Sequence, residues 1–228
     1  VISVPLSTIR GLSDGSLDPA VRGFLHLPDR PSGNGLVLSH GAGSNAQASL
    51  LVALAETFCD AGFTVLRCDL PFRQGHSWRP PGPADAARDR AGLHNAVGLL
   101  KGQVSGRIFL GGHSYGGRQS SMLSAEEPDL AGGLLLLSYP LHPPRKPEQQ
   151  RTQHLPDLRT PALFIHGTRD PFGTIRELEQ GLKMIPGKTK LLAVEGAGHD
   201  LGFKGKARLE ALPRLILAEF TKFLGLAS

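Results

Sequence analysis

Cysteine is nearly absent from this 228-residue chain, which has only Cys59 and Cys68. One closes a helix-like segment and the other lies in a strand-like one. They read as two reduced core thiols rather than a disulfide, and no Cys–His spacing suits zinc. This usage points to a reducing compartment, so a cytoplasmic location is expected. Long apolar runs are lacking too: nothing approaches the roughly 18 residues of a membrane span, and the greasiest stretch, Leu134–Leu137, has only strand length. From Val1 onward there is no basic-then-apolar leader, so no signal peptide is expected within these residues. The net charge of +5 is too small to demand a polyanionic partner. No Lys/Arg run carries interleaved aromatics, so nucleic-acid binding is not expected.

What is plentiful is glycine (29) and proline (18), which predicts many tight turns and close backbone packing. Apolar runs of strand length alternate with longer helix-period segments, the pattern of a mostly parallel sheet in an α/β fold. Strands are expected at Val21–Leu27, Leu36–Ser39, Thr64–Cys68, Arg107–Leu110, Leu134–Ser138, Ala162–His166 and Leu191–Val194. Helices are expected at Ala48–Cys59, Ala84–Leu100, from Gly117 to about Glu127, Ile175–Met184 and Arg208–Leu224. Pro71–Pro83 reads as a loop, and Tyr139–Thr160 as a short cap-like insertion. No repeat or long linker divides residues 1–228, so a single domain is expected.

Gly112-His113-Ser114-Tyr115-Gly116 fits G-x-S-x-G. An apolar strand (Ile108, Phe109, Leu110) runs into it and a helix pattern leaves it, which is the context that a nucleophile elbow needs. Glycines two positions either side remove the side chains that would collide in so sharp a turn. The following helix N-terminus then offers its dipole and N–H groups to a developing negative charge.

A serine hydroxyl needs a base within hydrogen-bond reach, and in this type of site the order along the chain is Ser, acid, His. His142 and His154 lie upstream of any well-placed acid, and His166 precedes the best one. His199, in the glycine-rich loop after the last strand, is the expected base. Asp170, just past the strand ending at His166, is the expected acid, ahead of Asp157, Glu195 and Asp200. The oxyanion donors are expected to be the N–H of Tyr115 and that of Ala42, or else Gly43, in the small-residue loop His40–Ser44. His40 itself reads as a loop-shaping residue. Arg73 and Arg118 are polar outliers on loops expected to face the site, where either could pair with an acidic substrate group; solvated or internally paired arginines are the plainer alternative.

From His40-Gly41 through Gly112–Gly117 to His166–Asp170 and Gly198-His199, nearly the whole chain resembles the α/β-hydrolase superfamily. It is most similar to small, nearly lidless members of the dienelactone-hydrolase type. It also resembles a hydrolase-like branch that includes a subunit of a vertebrate chromatin acetyltransferase complex. Dienelactone hydrolases proper carry Cys as nucleophile where this chain has Ser114. The resemblance implies an α/β-hydrolase fold with a mostly parallel central sheet and at most a small cap, acting on a small-molecule substrate. No cofactor or metal is expected, because acyl transfer by serine needs none, and a monomer or homodimer without membrane attachment is expected. Three readings remain at this point: a serine esterase working through an acyl-enzyme, a thioester, peptide or carbon–carbon hydrolase using the same residues, and a hydrolase-shaped scaffold with little turnover.

Overall fold

The computed structural model describes residues 8–76, 78–203 and 211–226. Eight strands form one sheet: β1 (Thr8–Asp14), β2 (Val21–Leu27), β3 (Gly35–Ser39), β4 (Thr64–Asp69), β5 (Ile108–His113), β6 (Leu134–Leu137), β7 (Ala162–Gly167) and β8 (Thr189–Val194). Their spatial order is β1-β2-β4-β3-β5-β6-β7-β8. The first two pairings are antiparallel and all the others parallel. The helices are α1 (Ser49–Asp60), α2 (Pro71–Gly75), α3 (Asp85–Lys101), α4 (Tyr115–Glu126), α5 (Ile175–Leu182) and α6 (Leu212–Leu224).

The central strands are apolar on both faces because each face is covered by helices. Side chains alternate along each strand, and the alternation sorts them into two cores. Val37, Leu110, Leu134, Leu136 and Phe164 pack with α3 and α4 residues such as Leu93, Val97 and Leu123. Leu36, Leu38, Phe109, Leu135 and Ile165 pack against α1 and α6 through Leu54, Phe58, Ile216 and Phe220. Phe109 and Phe220 meet edge to face at 5.2 Å. Among the described residues, no helix is long and apolar enough to cross a membrane. Both cysteines are buried and neither forms a disulfide; burial pushes the Cys68 thiol up to about 12.

Several sequence expectations are corrected. Strand β1 is not among the expected strands, because Thr8–Asp14 is a mostly exposed edge with no apolar run; its ladder with β2 defines it. The supposed loop Pro71–Pro83 begins with the helical turn α2, where Pro71 occupies the first position, a site that tolerates proline because its missing N–H would be unpaired anyway. Strand β5 runs on to His113, into the glycine motif. The Tyr139–Thr160 insertion is only partly a cap: Tyr139, Leu141, Leu155 and Leu158 are buried in the core, and a single 3₁₀ turn covers Leu155–Asp157. For the last helix, the described part begins at Leu212, and residues 208–210 of the expected span lie outside the described residues.

Two imidazoles are folded in as neutral groups. In β2, His26 Nε2 accepts from Arg67 Nε at 2.8 Å, and Arg67 also donates to the Ala46 carbonyl, tying the loop after β3 to the sheet. Burial, then the Arg67 charge, pulls His26 down to about 4. His154 lies within 2.8 Å of Ser121 Oγ on α4 and is also pulled to about 4, by burial first and then by Arg118 and Arg90. Because both folded values lie below the ordinary 6.5, the unfolded chain binds these protons first. Their contribution is complete above pH 6.5, shrinks as pH falls, and is gone below about 4. We expect melting temperature to fall between pH 7 and 4.5 by the equivalent of roughly 2–3 kcal/mol per imidazole, with a visibly flatter pH dependence in His26→Gln. An identical pH slope in that variant would count against this account.

Candidate active site

The loops that follow β3, β5, β7 and β8 all emerge at the carboxyl ends of parallel strands, where open α/β sheets place their ligand crevices. Between β5 and α4 the chain must turn within one residue. Ser114 does so with φ 52° and ψ −116°, a conformation that costs on the order of 1–3 kcal/mol. The turn presses against the loop after β3: a Cβ on Gly112 would come within 2.6 Å of the Ser39 carbonyl, and one on Gly116 within 2.6 Å of the His40 carbonyl. Only glycine fits at either position. Tyr115 is the first residue of α4, where a helix leaves its leading N–H groups without intrahelical acceptors.

The structure brings the three expected side chains together. Ser114 Oγ lies 2.8 Å from His199 Nε2. His199 Nδ1 lies 2.8 and 3.0 Å from the two oxygens of Asp170. A carboxylate can only accept, so Nδ1 carries the proton and Nε2 is the acceptor for the serine hydroxyl. The Asp170 side chain is fully buried and also accepts from the Phe172 N–H at 2.9 Å. His166 stands behind it, 3.8 Å away, with Nε2 donating to the Gly173 carbonyl. Two contacts that the sequence does not show hold His199, one at its ring and one at its backbone. Phe172 stacks on it at 4.1 Å, and His113 Nε2 donates to the His199 carbonyl at 2.7 Å.

A cavity of about 680 Å³ opens over Ser114, lined by the His40–Ser44 loop, Pro80–Pro83, Tyr115, Arg118, Arg151 and Phe203, among others. Ala42 and Gly43 both lie on its wall. His40 is fully buried; Nδ1 donates to the Gly41 carbonyl and Nε2 accepts from the Leu70 N–H, so it shapes the loop. Arg73 is not on the cavity wall. Its Nη2 donates to the Ala42 carbonyl at 2.7 Å, and its guanidinium lies over Phe72. Arg118 is on the wall. Among the described residues, no group of three or more His, Cys, Asp and Glu could hold a metal ion.

A buried carboxylate joins the two sides of this site. Asp89 on α3 is fully buried; one oxygen accepts from the Tyr115 hydroxyl at 2.7 Å and the other from the Phe72 N–H at 3.0 Å. Burial pushes its carboxyl up, and these two hydrogen bonds pull it back. Thus Asp89 braces Tyr115 directly and, through α2 and Arg73, the Ala42 loop. The signal was present in the sequence: Asp89 falls on the buried stripe of α3 with Leu93, Ala96, Val97 and Leu100, where an acid has no reason to be unless something pairs with it. Asp89→Ala is expected to destabilise the fold by about 2–4 kcal/mol, because it strands two polar groups. Asp89→Asn, which still accepts from the Phe72 N–H, should recover most of that loss. Equal melting temperatures for Asp89→Ala and wild type would refute the bracing role.

A sheet of this order, with a strained serine turn at the end of its fifth strand, defines the α/β-hydrolase class of folds. The chain belongs to the alpha/beta hydrolase domain family, whose profile matches residues 32–218. Among solved structures it is similar to a dienelactone hydrolase from Anabaena variabilis, at 22% identity and TM-score 0.71, covering 96% of this chain and 97% of that one. Est1E from Butyrivibrio proteoclasticus has 17% identity and TM-score 0.73, covering 94% and 99%. A serine hydrolase without a lid from Xanthomonas campestris has 16% identity and TM-score 0.72, covering 97% of each chain.

Proposed function

We propose that the protein is a serine hydrolase of small esters or related acyl compounds, with Ser114 as nucleophile, His199 as base and Asp170 as its orienting acid. The observation that carries this reading is the unbroken hydrogen-bonded line Ser114–His199–Asp170 on the wall of a cavity large enough for a small molecule. His199 Nε2 takes the hydroxyl proton as Ser114 Oγ attacks the carbonyl carbon. The imidazolium is stabilised by buried Asp170. Negative charge on the carbonyl oxygen is met by the Tyr115 N–H and that of Ala42 or Gly43. Collapse of this tetrahedral species expels the alcohol, protonated by His199, and leaves an acyl-serine. Water, activated by the same imidazole, then releases the acid. The phenyl ring of Phe172 limits where the imidazole can swing between these steps.

Neighbours in fold point the same way: one is a dienelactone hydrolase and one a serine hydrolase without a lid, and Est1E has been seen with ferulic acid bound. The Tyr139–Thr160 segment, partly buried in the core, forms no large apolar lid, which favours soluble substrates over lipid aggregates. The test is labelling with a fluorophosphonate probe, read by intact mass, on wild type and Ser114→Ala. One adduct on the wild type and none on the variant is the expected result. No adduct on well-folded wild type would instead favour a hydrolase-shaped binding protein.

A further inference from the structure

Arg118 and Arg151 stand on the wall of the cavity that holds Ser114. Arg118 lies one turn into α4, its N–H bonded to the Ser114 carbonyl, so its distance from the nucleophile is set by the helix itself. Arg151 comes from the segment after β6, its backbone N–H held by the Leu141 carbonyl and its own carbonyl accepting from the Tyr139 hydroxyl. Both backbones are therefore fixed. The two guanidinium groups sense each other: Arg151 is pulled below the usual arginine range, first by burial and then by the Arg118 charge.

Two cations on one half-buried wall call for a counter-charge, and the described residues supply none. Among the described residues, neither arginine forms an ion pair. Arg118 Nε is sealed from solvent and makes no hydrogen bond. Three arginines elsewhere are paired, Arg79 with Asp85, Arg88 with Asp18 and Arg90 with Glu126; buried Arg67 is instead bonded to His26 and the Ala46 carbonyl. Neighbouring polar side chains do not relieve the charge. Gln119 Oε1 is taken by Arg90, and His154 is held neutral beside Arg118. Asp200, the one carboxylate among the described residues of the cavity wall, accepts from the Gly202 N–H, and no ion pair joins it to either arginine.

We infer that Arg118 and Arg151 form an anion subsite that binds a carboxylate on the acyl or alcohol part of the substrate. This inference rests on the serine-hydrolase reading for its reaction, but not for its binding. A guanidinium offers a planar fork of N–H donors matched to a carboxylate, and an entering carboxylate supplies the counter-charge that the two arginines lack. The substrate class is then a half-ester: one carboxyl esterified and facing Ser114, the other group anionic and held by the arginines. Arg73, occupied with the Ala42 carbonyl, takes no part.

The experiment has two readouts. Specificity is measured as the kcat/KM ratio of acidic to neutral ester in two pairs. The first pair is 4-nitrophenyl hemiglutarate against 4-nitrophenyl pentanoate, for the acyl side. The second is 4-carboxyphenyl butanoate against its methyl-capped counterpart, for the alcohol side. Binding of glutarate and of methyl phosphate is followed by calorimetry on wild type, Arg118→Gln and Arg151→Gln. The expected result is a preference for the acidic member of one pair, falling roughly 10- to 100-fold in each variant, as loss of a charged hydrogen bond would give, with glutarate binding weakened in parallel. If no ester is turned over but glutarate binding depends on both arginines, the subsite stands and the hydrolase reading fails. If neutral esters are hydrolysed without acid preference and glutarate does not bind, the subsite fails and the hydrolase reading stands. A preference that survives both substitutions, or tighter binding of methyl phosphate than of glutarate, overturns the carboxylate assignment.

Discussion

Ser114→Ala is expected to fold normally and to lose on the order of 10⁵- to 10⁶-fold in kcat, retaining only what the oxyanion donors and substrate binding supply. The side chain removed is one oxygen atom whose hydrogen-bond partner is His199 Nε2. The Cβ stays, so the backbone strain at φ 52° is the same for alanine as for serine. Melting temperature should therefore barely move while turnover collapses. Ser114→Gly makes a sharper comparison. Glycine takes up a positive φ without a steric penalty, so this variant should be equally inactive yet more stable than Ser114→Ala, by about 1 kcal/mol once the extra backbone entropy of glycine is subtracted. Kinetics with a short-chain 4-nitrophenyl ester and thermal melts of the three proteins test both halves. Substantial residual turnover in either variant would remove Ser114 from the mechanism; a glycine variant less stable than the alanine one would remove the claim of stored strain.

Asp170→Asn should cost roughly 10⁴-fold in kcat with little change in KM. The buried carboxylate accepts the His199 Nδ1–H through both oxygens and the Phe172 N–H through one. An amide of the same shape can still accept from the Phe172 N–H with its oxygen, but its NH₂ then faces Nδ1. That favours the tautomer with the proton on Nε2, which cannot accept from Ser114, and it leaves the imidazolium without its negative partner. Because His166 also stands near this carboxylate, at 3.8 Å, the double variant Asp170→Asn/His166→Gln checks that the loss does not run through that second ring. The pair should be no slower than Asp170→Asn alone. A drop of less than about tenfold in the single variant would point to another acid.

Much of this molecule was legible in the chain because the signals are local. Strand-length runs such as Leu134–Leu137 and Ala162–His166 are apolar throughout because both faces of the central sheet are covered, and a covered strand has no polar face to blur the pattern. The glycines around Ser114 mark a turn that only they can make, and the order Ser114, Asp170, His199 follows from which strand each loop succeeds. Asp89 was legible in part: its place on the apolar stripe of α3 is visible in the sequence, but its partners, Tyr115 and Phe72, are not.

What the chain by itself determined, then, is the alternation of strands and helices, the sharp turn at Ser114 and the three loops that carry the candidate reacting groups. Each of these depends on residues close in sequence. Tertiary structure alone decided the rest. It recruited the polar edge strand β1 by pairing, made a helical turn of Pro71–Gly75 by capping it with Asp89, turned Arg73 inward onto the Ala42 carbonyl, stacked Phe172 on His199, and set Arg118 and Arg151 on one cavity wall. Those outcomes depend on hydrogen bonds and charges between residues far apart in the chain, and a partner brought in by folding leaves no mark on the local pattern.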